Sequence, residues 1–448
     1  MKSQFKIAAL SAVTVLSAAA MAQATDINIY GASAQFDFWS ANARSFVASK
    51  CSTVPATATT STQTITDSAG TTFGVKHLYI QGTGCAAPYT SPLTFRLAGI
   101  ASGEGPQALQ KQNPIFVPNA AANGIANGCS IANGERTMIA SIAPTTLGCV
   151  AVNAGTTDLS AENINQQVDA SVAPALPVIS GAGLTVEDTF VVPFAFFANS
   201  GVTAGHCVTS TGNNTGAYCT ATADCTAIGA ATDVCTTKPI DNLTRAQAVA
   251  LFSGNVTQWS DMGPAFNTNF VKLCMRYPGS GTHGVLDKMV LSAGDKGWGV
   301  PGSVGFFQFE NNDNTIGFPL ARYVKSTGDM KGCLTTDTFL PGNPFPTGSF
   351  AGAIGYMDGN DSQAGTNRLK YNGNAVNRAA LNGGVYDYYS IGKLYYAPAN
   401  AAVMAPVAAY TRVAANLTAI GAKANFWSTT PEMKYKRNSD NAYPSKQF

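Results

Sequence analysis

The sequence predicts an α/β fold, because one local pattern occurs four times: a short apolar strand, a turn of small residues and the start of a helix. These units span residues 26–36, 93–105, 150–162 and 270–284. Residues 190–199 form the most apolar run after the N-terminal segment and have the length of a central buried strand. At 448 residues the chain exceeds what one hydrophobic core usually holds, so we expect two domains.

Residues 1–24 have the three parts of a cleavable secretory signal. Two lysines precede an apolar run at 7–21, and Ala22-Gln23-Ala24 supplies the small residues of a cleavage site. We expect a mature chain that starts at Thr25 and has no lipid anchor, because no cysteine lies near that site. No later apolar run reaches the ~18–20 uncharged residues that a membrane span needs. The sequence therefore predicts an exported protein of the periplasm or the extracellular space, without membrane insertion.

The charge balance argues against polyanionic partners. The chain has 27 Lys and Arg against 25 Asp and Glu, and removal of the signal takes away two lysines, which leaves 25 of each. Only 12% of the residues are charged. Such a chain lacks the basic surface that attracts nucleic acids or anionic membranes, so we expect neither as a partner.

Ten cysteines, an even number in an exported chain, favour disulfides over metal or redox sites. Spacing suggests three pairs and one local quartet: Cys51 with Cys85, Cys129 with Cys149, Cys274 with Cys333, and Cys207, Cys219, Cys225 and Cys235 together. Connectivity cannot be read from sequence, so pairing within the quartet stays open. A zinc module at 207–235 is the weaker alternative, because the segment has no CxxC pair and His206 is the only adjacent histidine. We expect no metal and no cofactor.

The unit at 270–284 carries residues suited to an anion. Residues 280–282 (Ser, Gly, Thr) open a helix, where backbone N–H groups are unpaired and the helix dipole is positive. Arg276 adds a planar, permanently charged donor fork. The alternative is an ordinary turn whose arginine makes a surface ion pair. For Asp158, in the unit at 150–162, the alternative is a helix N-cap or an ordinary turn residue.

Other segments predict the elements around these units. Residues 242–252 predict a helix with a polar cap, and residues 385–396 a long strand. Residues 401–420 predict a helix that breaks near Pro406. Residues 203–238, rich in Gly, Thr and Asn, predict a surface insertion.

Taken in order, these motifs resemble the periplasmic phosphate-binding proteins of ABC importers, the PstS-like members of the type II periplasmic-binding-protein superfamily. The matching segments are 29–36 (IYGASAQF), 99–105 (GIASGEG), 154–160 (AGTTDLS), 251–259 (LFSGNVTQW), 276–282 (RYPGSGT) and 352–356 (GAIGY). The resemblance covers the chain from about residue 27 to residue 396, except for three stretches that hold eight of the ten cysteines: 50–92, 106–149 and 203–238.

The resemblance implies a two-domain type II periplasmic-binding-protein fold, in which each domain is a mixed sheet flanked by helices. The ligand lies in the interdomain cleft, and disulfide-stapled loops are inserted into the scaffold. We expect domain 1 to combine residues 25–192 and 385–448. Domain 2 would span 193–384 and include the Cys-rich insertion at 203–238, with closure about crossovers near residues 193 and 385.

The resemblance also implies one bound phosphate surrounded by Ala34, Gln35, Phe36, Ser102, Asp158, Arg276, Ser280, Gly281 and Thr282. Hydrogen phosphate carries a proton near pH 7 and can donate a hydrogen bond to the Asp158 carboxylate, whereas sulfate would meet only repulsion. Two positions depart from the family pattern. Gln35 stands where the family commonly has Ser or Thr, and Pro278 where it often has an Asp that pairs with the arginine. The expected ligand is therefore phosphate or a related oxyanion.

These features predict a monomeric solute-binding protein that captures phosphate for the permease subunits of an ABC importer. One alternative is a secreted phosphatase on the same scaffold, and another is a stand-alone extracellular phosphate-binding protein without a transporter. Hydrolysis would need a nucleophile with a base, or a metal pair. Since His77, His206 and His283 are few and scattered, no catalytic residue is assigned and an enzyme is not expected.

Overall fold

The computed structural model describes residues 24–66, 72–114, 128–164, 178–277, 279–291, 320–336 and 349–447. The predicted secretory signal and Pro278 lie outside these described residues. Within them, no helix is both long and apolar enough to span a bilayer.

Strands β1 to β11 occupy the first half of the chain: β1 (Thr25–Gly31), β2 (Cys51–Thr53), β3 (Thr59–Thr66), β4 (Thr72–Cys85), β5 (Leu93–Gly99), β6 (Glu135–Ile142), β7 (Thr145–Ala151), β8 (Ala154–Thr157), β9 (Thr185–Asn199), β10 (Thr203–Val208) and β11 (Asn214–Tyr218). Strands β12 to β22 follow: β12 (Val234–Pro239), β13 (Asn242–Leu243), β14 (Lys272–Arg276), β15 (Leu320–Val324), β16 (Ala353–Asp358), β17 (Thr366–Arg368), β18 (Lys370–Tyr371), β19 (Tyr389–Tyr396), β20 (Ser428–Thr429), β21 (Tyr435–Lys436) and β22 (Ser445–Lys446).

The α-helices of the described residues are α1 (Ser33–Ala48), α2 (Glu104–Leu109), α3 (Thr222–Ile228), α4 (Arg245–Phe252), α5 (Gly281–Leu286), α6 (Thr327–Thr335), α7 (Arg378–Asn382), α8 (Ala401–Thr411) and α9 (Ala414–Leu417). A π-helical turn at Asp287–Leu291 continues α5. Sheets flanked by helices confirm the predicted α/β class.

Thirteen strands form one mixed sheet in the order β15-β14-β16-β9-β19-β8-β1-β5-β4-β2, with β17 and β20 on β9 and with β3 on β4. Strand β1 runs parallel to β5 and β8, and β14 runs parallel to β15 and β16. Because parallel strands end at the same edge, the turns after β1, β5 and β8 meet at one place. The turns after β14 and β16 meet at another.

Strand β9 joins the two halves of this sheet. Its residues Thr185–Pro193 pair with β19, and Phe194–Ala198 pair with β16. Pro193 has no N–H to donate, so the partner changes where the ladder is already interrupted. The next residue, Phe194, donates its N–H to the Tyr388 carbonyl at 2.9 Å.

Helix α1 covers the β1–β5 half of the sheet. Phe38, Trp39, Phe46 and Val47 fall at helical spacing and are at most 1% exposed. The Trp39 ring lies 4.8 Å from that of Phe95 on β5. Full burial of each large apolar side chain stabilises the fold by roughly 1.5–3 kcal/mol. This packing holds α1 against the sheet and so sets the position of its start relative to the strand ends.

Five disulfides are formed, and they confirm the three predicted pairs: Cys51–Cys85, Cys129–Cys149 and Cys274–Cys333. The quartet pairs as Cys207–Cys225 and Cys219–Cys235, within the predicted insertion. There β10, β11 and β12 form a separate three-stranded sheet. The fifth bond, Cys274–Cys333, joins β14 to α6 and is fully buried.

Three predicted elements differ in the structure. The strand expected at 385–396 begins only at Tyr389, because the preceding residues turn to bond β9: the Tyr386 hydroxyl donates to the Phe194 carbonyl at 2.5 Å. Helix α8 runs through Pro406 and ends at Thr411, since apolar packing under β9 outweighs one lost N–H bond. In the unit at 150–162, the sequence predicts that the residues after Asn153 form the turn, but Ala154–Thr157 is strand β8, held between β1 and β19.

Candidate functional site

A cleft of about 440 Å³ lies where the two groups of strand ends face each other. We define its first wall as the start of α1, the adjoining parts of β4 and β5, Asp158 after β8, and Lys423. Its second wall is Arg276 at the end of β14, the start of α5, residues 325–331 and the end of β16. Turns that the sequence places far apart therefore surround one space.

Helix N-termini on both walls face the cleft. Ser33 and Ala34 of α1, Thr282 of α5, and Thr327 of α6 line it. The first turn of a helix carries unpaired N–H groups and partial positive charge, so these ends suit an anion without adding a formal charge. Close backbone packing places α1: Gly31 has φ +136°, and a Cβ there would lie 2.1 Å from the Thr156 carbonyl oxygen.

Arg276 is buried at the end of β14, with 8% of its surface exposed. Its backbone N–H donates to the Tyr356 hydroxyl at 3.0 Å, and its Nη2 donates to the Lys325 carbonyl at 2.8 Å. Its Nε has no hydrogen-bond partner among the described residues. Burial lowers the pKa of Arg276, and nearby groups, including the carboxyls of Asp158 and Asp358, oppose that shift. A buried guanidinium with donors to spare is suited to an oxyanion, so the alternative of a surface ion pair does not describe it.

Asp158 supplies a buried acceptor opposite that cation. The Ser102 hydroxyl donates to Asp158 Oδ2 at 2.9 Å, and the Asp158 N–H approaches Ser102 Oγ at 3.2 Å. Burial raises the pKa of Asp158, while the Ser102 hydrogen bond and the charge of Arg276 lower it. No helix starts directly after Asp158, since the next helical turn begins at Ala161, so it is not a helix N-cap.

The two walls touch beside this carboxyl. Gly103 donates its N–H to the Gly279 carbonyl at 3.0 Å, and Ser280 is the buried N-cap of α5. A Cβ built on Gly281 would lie 2.1 Å from Ser102 Oγ and 2.2 Å from Asp158 Oδ2. Only glycine allows this approach, which brings the start of α5 against the carboxyl.

If the cleft holds the phosphate or related oxyanion that the sequence predicts, Gly281→Ala is expected to weaken its binding by about tenfold or more, because the added methyl must push the walls apart. Calorimetric titration with phosphate measures the change, and thermal melting shows whether the variant is folded. Gly128→Ala is the matched control, since a Cβ at Gly128 would have no described residue within 4 Å. Equal affinity of Gly281→Ala and wild type would contradict the placement of α5 in the site.

The structure brings most of the predicted site residues together. Ala34, Asp158, Arg276 and Thr282 line the cleft. Ser102 and Gly281 contact Asp158, and Ser280 caps the helix that Thr282 belongs to.

Two predicted residues on α1 are oriented differently from the others. The Gln35 side chain is buried away from the cleft, where its Nε2 donates to Thr189 Oγ1 at 3.1 Å, and its backbone N–H donates to the Ala32 carbonyl. The Phe36 ring lies 5.4 Å from Lys76 Nζ. The Gln35 side chain is therefore hydrogen-bonded inside the fold, and contact of Gln35 and Phe36 with a ligand stays a prediction.

Sequence reasoning missed most of the charged lining: Asp37, Lys76, Lys325, Lys331, Asp358, Asp361 and Lys423. With Arg276 and Asp158 added, five basic side chains face four acidic ones. One signal was present in the sequence, because Ser326 and Asp329 form a capping box that marks the start of α6. The other residues come from separate elements, and no local pattern marks them.

His283 has a structural environment rather than a catalytic one. It is fully buried, and its Nδ1 lies 2.8 Å from the Tyr356 hydroxyl. Burial, together with the charge of Arg276, lowers the pKa of His283 to about 3, so the ring is neutral at physiological pH. It is not among the residues that line the cleft.

No family model and no curated protein matches this chain. Among solved structures, it is similar to an ABC-type phosphate transport receptor from Vibrio cholerae, at 12% identity and a TM-score of 0.42, over 90% of this chain and 99% of that one. A putative phosphate ABC transporter substrate-binding protein from Clostridium perfringens, with bound phosphate, matches at 12% identity and a TM-score of 0.44, over 91% and 100%. A phosphate-binding protein from Stenotrophomonas maltophilia matches at 15% identity and a TM-score of 0.40, over 94% and 96%.

Proposed function

We propose that this protein binds phosphate, or a closely related oxyanion, in the cleft between its two walls. The observation that carries the proposal is the presence of a buried cation, Arg276, and a buried carboxyl, Asp158, in one cleft that helix N-termini also line. Arg276 and the helix ends attract an oxyanion. The buried Asp158 carboxylate accepts a hydrogen bond only from a ligand that still carries a proton.

This combination favours phosphate over sulfate. Hydrogen phosphate can donate a hydrogen bond to the Asp158 carboxylate. Fully ionised sulfate has no proton to donate, so it would place one hydrogen-bond acceptor against another. Ser102 holds the carboxyl in position through its 2.9 Å hydrogen bond. Selectivity therefore comes from one buried carboxyl, and affinity from the cation and the helix ends.

We also propose that the two halves of the sheet are domains that close around the ligand, with residues 25–192 and 385–448 in one and 193–384 in the other. The change of partner along β9 between Pro193 and Phe194 supports this boundary. The ion would enter the open cleft and be enclosed by hinge motion. In the periplasm, the closed form would then deliver phosphate to the permease subunits of an ABC importer, with the protein acting as a monomer.

Calorimetry of ligand-stripped protein with phosphate tests the proposal. We expect saturable binding of one phosphate per chain, together with thermal stabilisation. A chain that gives neither heat nor stabilisation would overturn the proposed function. Steady hydrolysis of chromogenic phosphate esters would instead support the phosphatase alternative, which no residue of the cleft lining favours.

A further inference from the structure

Lys423 reaches carboxylates on both walls of the cleft, although it lies near the end of the chain. Its Nζ is 2.6 Å from Asp37 Oδ2 on α1 and 4.0 Å from Asp358 Oδ2 at the end of β16. All three residues line the cleft. One ammonium group therefore faces two acidic groups that belong to opposite walls.

These two carboxylates oppose the proposed ligand. Asp37 lies in the first turns of α1, whose N-terminus faces the cleft, and Asp358 is the last residue of β16, which also carries Tyr356. An uncompensated carboxylate there would repel an oxyanion and cancel part of the helix dipole. Lys76 also approaches Asp37, but at 3.5 Å and with 53% of its side chain exposed, so water screens it more than Lys423.

The backbone around Lys423 is fixed by contacts that hold its side chain in this place. The Ala424 carbonyl accepts from Arg378 Nη1 at 3.2 Å. The fully buried Trp427 donates from Nε1 to Asn360 Oδ1 at 3.0 Å and stacks on Phe190, with ring centroids 4.9 Å apart. Lys423 Nζ lies 5.2 Å from the Trp427 ring. The segment 423–427 thus contacts both halves of the sheet at the hinge strand β9.

We propose that Lys423 is a positioning residue of the anion site, an inference that rests on the proposed function. It neutralises Asp37 and Asp358 together and ties the first wall to the second. It does not contact the ligand itself. The oxyanion then meets the helix N-termini and Arg276 without competing negative charge.

The ionisation of Asp358 gives this role a pH signature. Burial raises the pKa of Asp358 to about 7, Lys423 opposes the shift, and the nearby carboxyls of Asp361, Asp37 and Asp158 add to it. Four other basic groups of the cleft lining face this region: Lys331, paired with Asp361 at 3.0 Å, Lys76 on Asp37, Arg276, whose charge interacts with that of Asp358, and Lys325. Because Lys423 lowers the pKa of Asp358, the carboxyl loses its proton at a higher pH in a variant without Lys423 than in wild type. The uncompensated negative charge in such a variant is therefore greater at pH 8 than at pH 6.

Phosphate titrations of Lys423→Met and wild type at pH 6 and pH 8 test the inference. Lys423→Met is expected to bind phosphate about five- to tenfold more weakly than wild type at pH 8, and with a smaller deficit at pH 6. The ratio of the two proteins at one pH cancels the ionisation of phosphate itself. Lys393→Met is the matched control, because Lys393 makes an ion pair of the same 2.6 Å length, with Asp188, outside the cleft lining.

A charge rescue separates neutralisation from a merely structural role. The triple variant Lys423→Met/Asp37→Asn/Asp358→Asn is expected to recover affinity to within about threefold of wild type, because no uncompensated carboxylate remains. A single variant within twofold of wild type at pH 8 would overturn the inference. So would a folded triple variant as weak as the single one. Failure of wild type to bind phosphate would instead refute the proposed function on which the inference rests.

Discussion

Replacing Arg276 with glutamine is expected to weaken phosphate binding by about 100-fold or more. Arg276 is the buried cation of the cleft, and its Nε has no hydrogen-bond partner among the residues that the structure describes. Loss of a buried charge that bonds an ionic ligand costs roughly 3 kcal/mol, and every 1.4 kcal/mol changes the dissociation constant about tenfold. The variant also removes the positive charge that opposes the rise in the pKa of the buried Asp158 carboxyl.

Calorimetry measures this loss, and Arg276→Lys is the informative companion variant. Lysine keeps the charge but lacks the planar fork that donates to the Lys325 carbonyl and to a ligand together. We expect Arg276→Lys to bind phosphate with intermediate affinity. Both variants should melt close to wild type in the absence of phosphate if the effect is local. A folded Arg276→Gln protein with wild-type affinity would show that the anion binds elsewhere.

Removing the Cys274–Cys333 disulfide is expected to lower the free energy of unfolding by about 4 kcal/mol. The bond closes a loop with a sequence separation of 59. Without the bond the unfolded chain gains conformational entropy, and for a loop of this length that gain has this magnitude. Both sulfurs belong to fully buried residues. Because the bond joins β14, which ends at Arg276, to α6, whose N-terminus lines the cleft, phosphate affinity should fall as well.

Denaturant unfolding of Cys274→Ala/Cys333→Ala measures the first effect, and phosphate titration the second. The control is Cys219→Ala/Cys235→Ala, which removes a disulfide of the inserted three-stranded sheet, away from the cleft. That control should lose stability but keep its phosphate affinity. Equal affinity losses in the two double variants would contradict the link between the buried disulfide and the site.

The parts of this fold that sequence predicts are those with local signals. The turn into α1 is marked by an alternating strand, small residues and helical spacing at Phe38, Trp39 and Phe46. The spacing of the cysteines predicts three disulfides. The turn after Arg276 is predicted by the apolar strand before it and the small residues that open the next helix. Each signal is set by backbone conformation or chain connectivity within a short segment, so it can be read without the tertiary structure.

The parts that sequence misses depend on contacts between distant residues. Lys423 and Asp37 are 386 positions apart, and only the packing of the C-terminal segment across β9 brings them together. Tertiary packing also overrides local preference in α8, where a helix continues through Pro406. The Gln35 side chain likewise makes a contact that no local pattern indicates, a hydrogen bond from its Nε2 to Thr189 Oγ1, 154 positions away.

The central claim is that a buried carboxyl lets the cleft distinguish a protonated oxyanion from an unprotonated one. Phosphate and sulfate titrations of wild type and Asp158→Asn test it most directly. We expect wild type to prefer phosphate by about 100-fold or more, because an acceptor held against an acceptor costs several kcal/mol. Asp158→Asn, which can donate to sulfate, should reduce that preference at least about tenfold. An unchanged preference in Asp158→Asn, or wild type that binds both ions equally, would contradict the account.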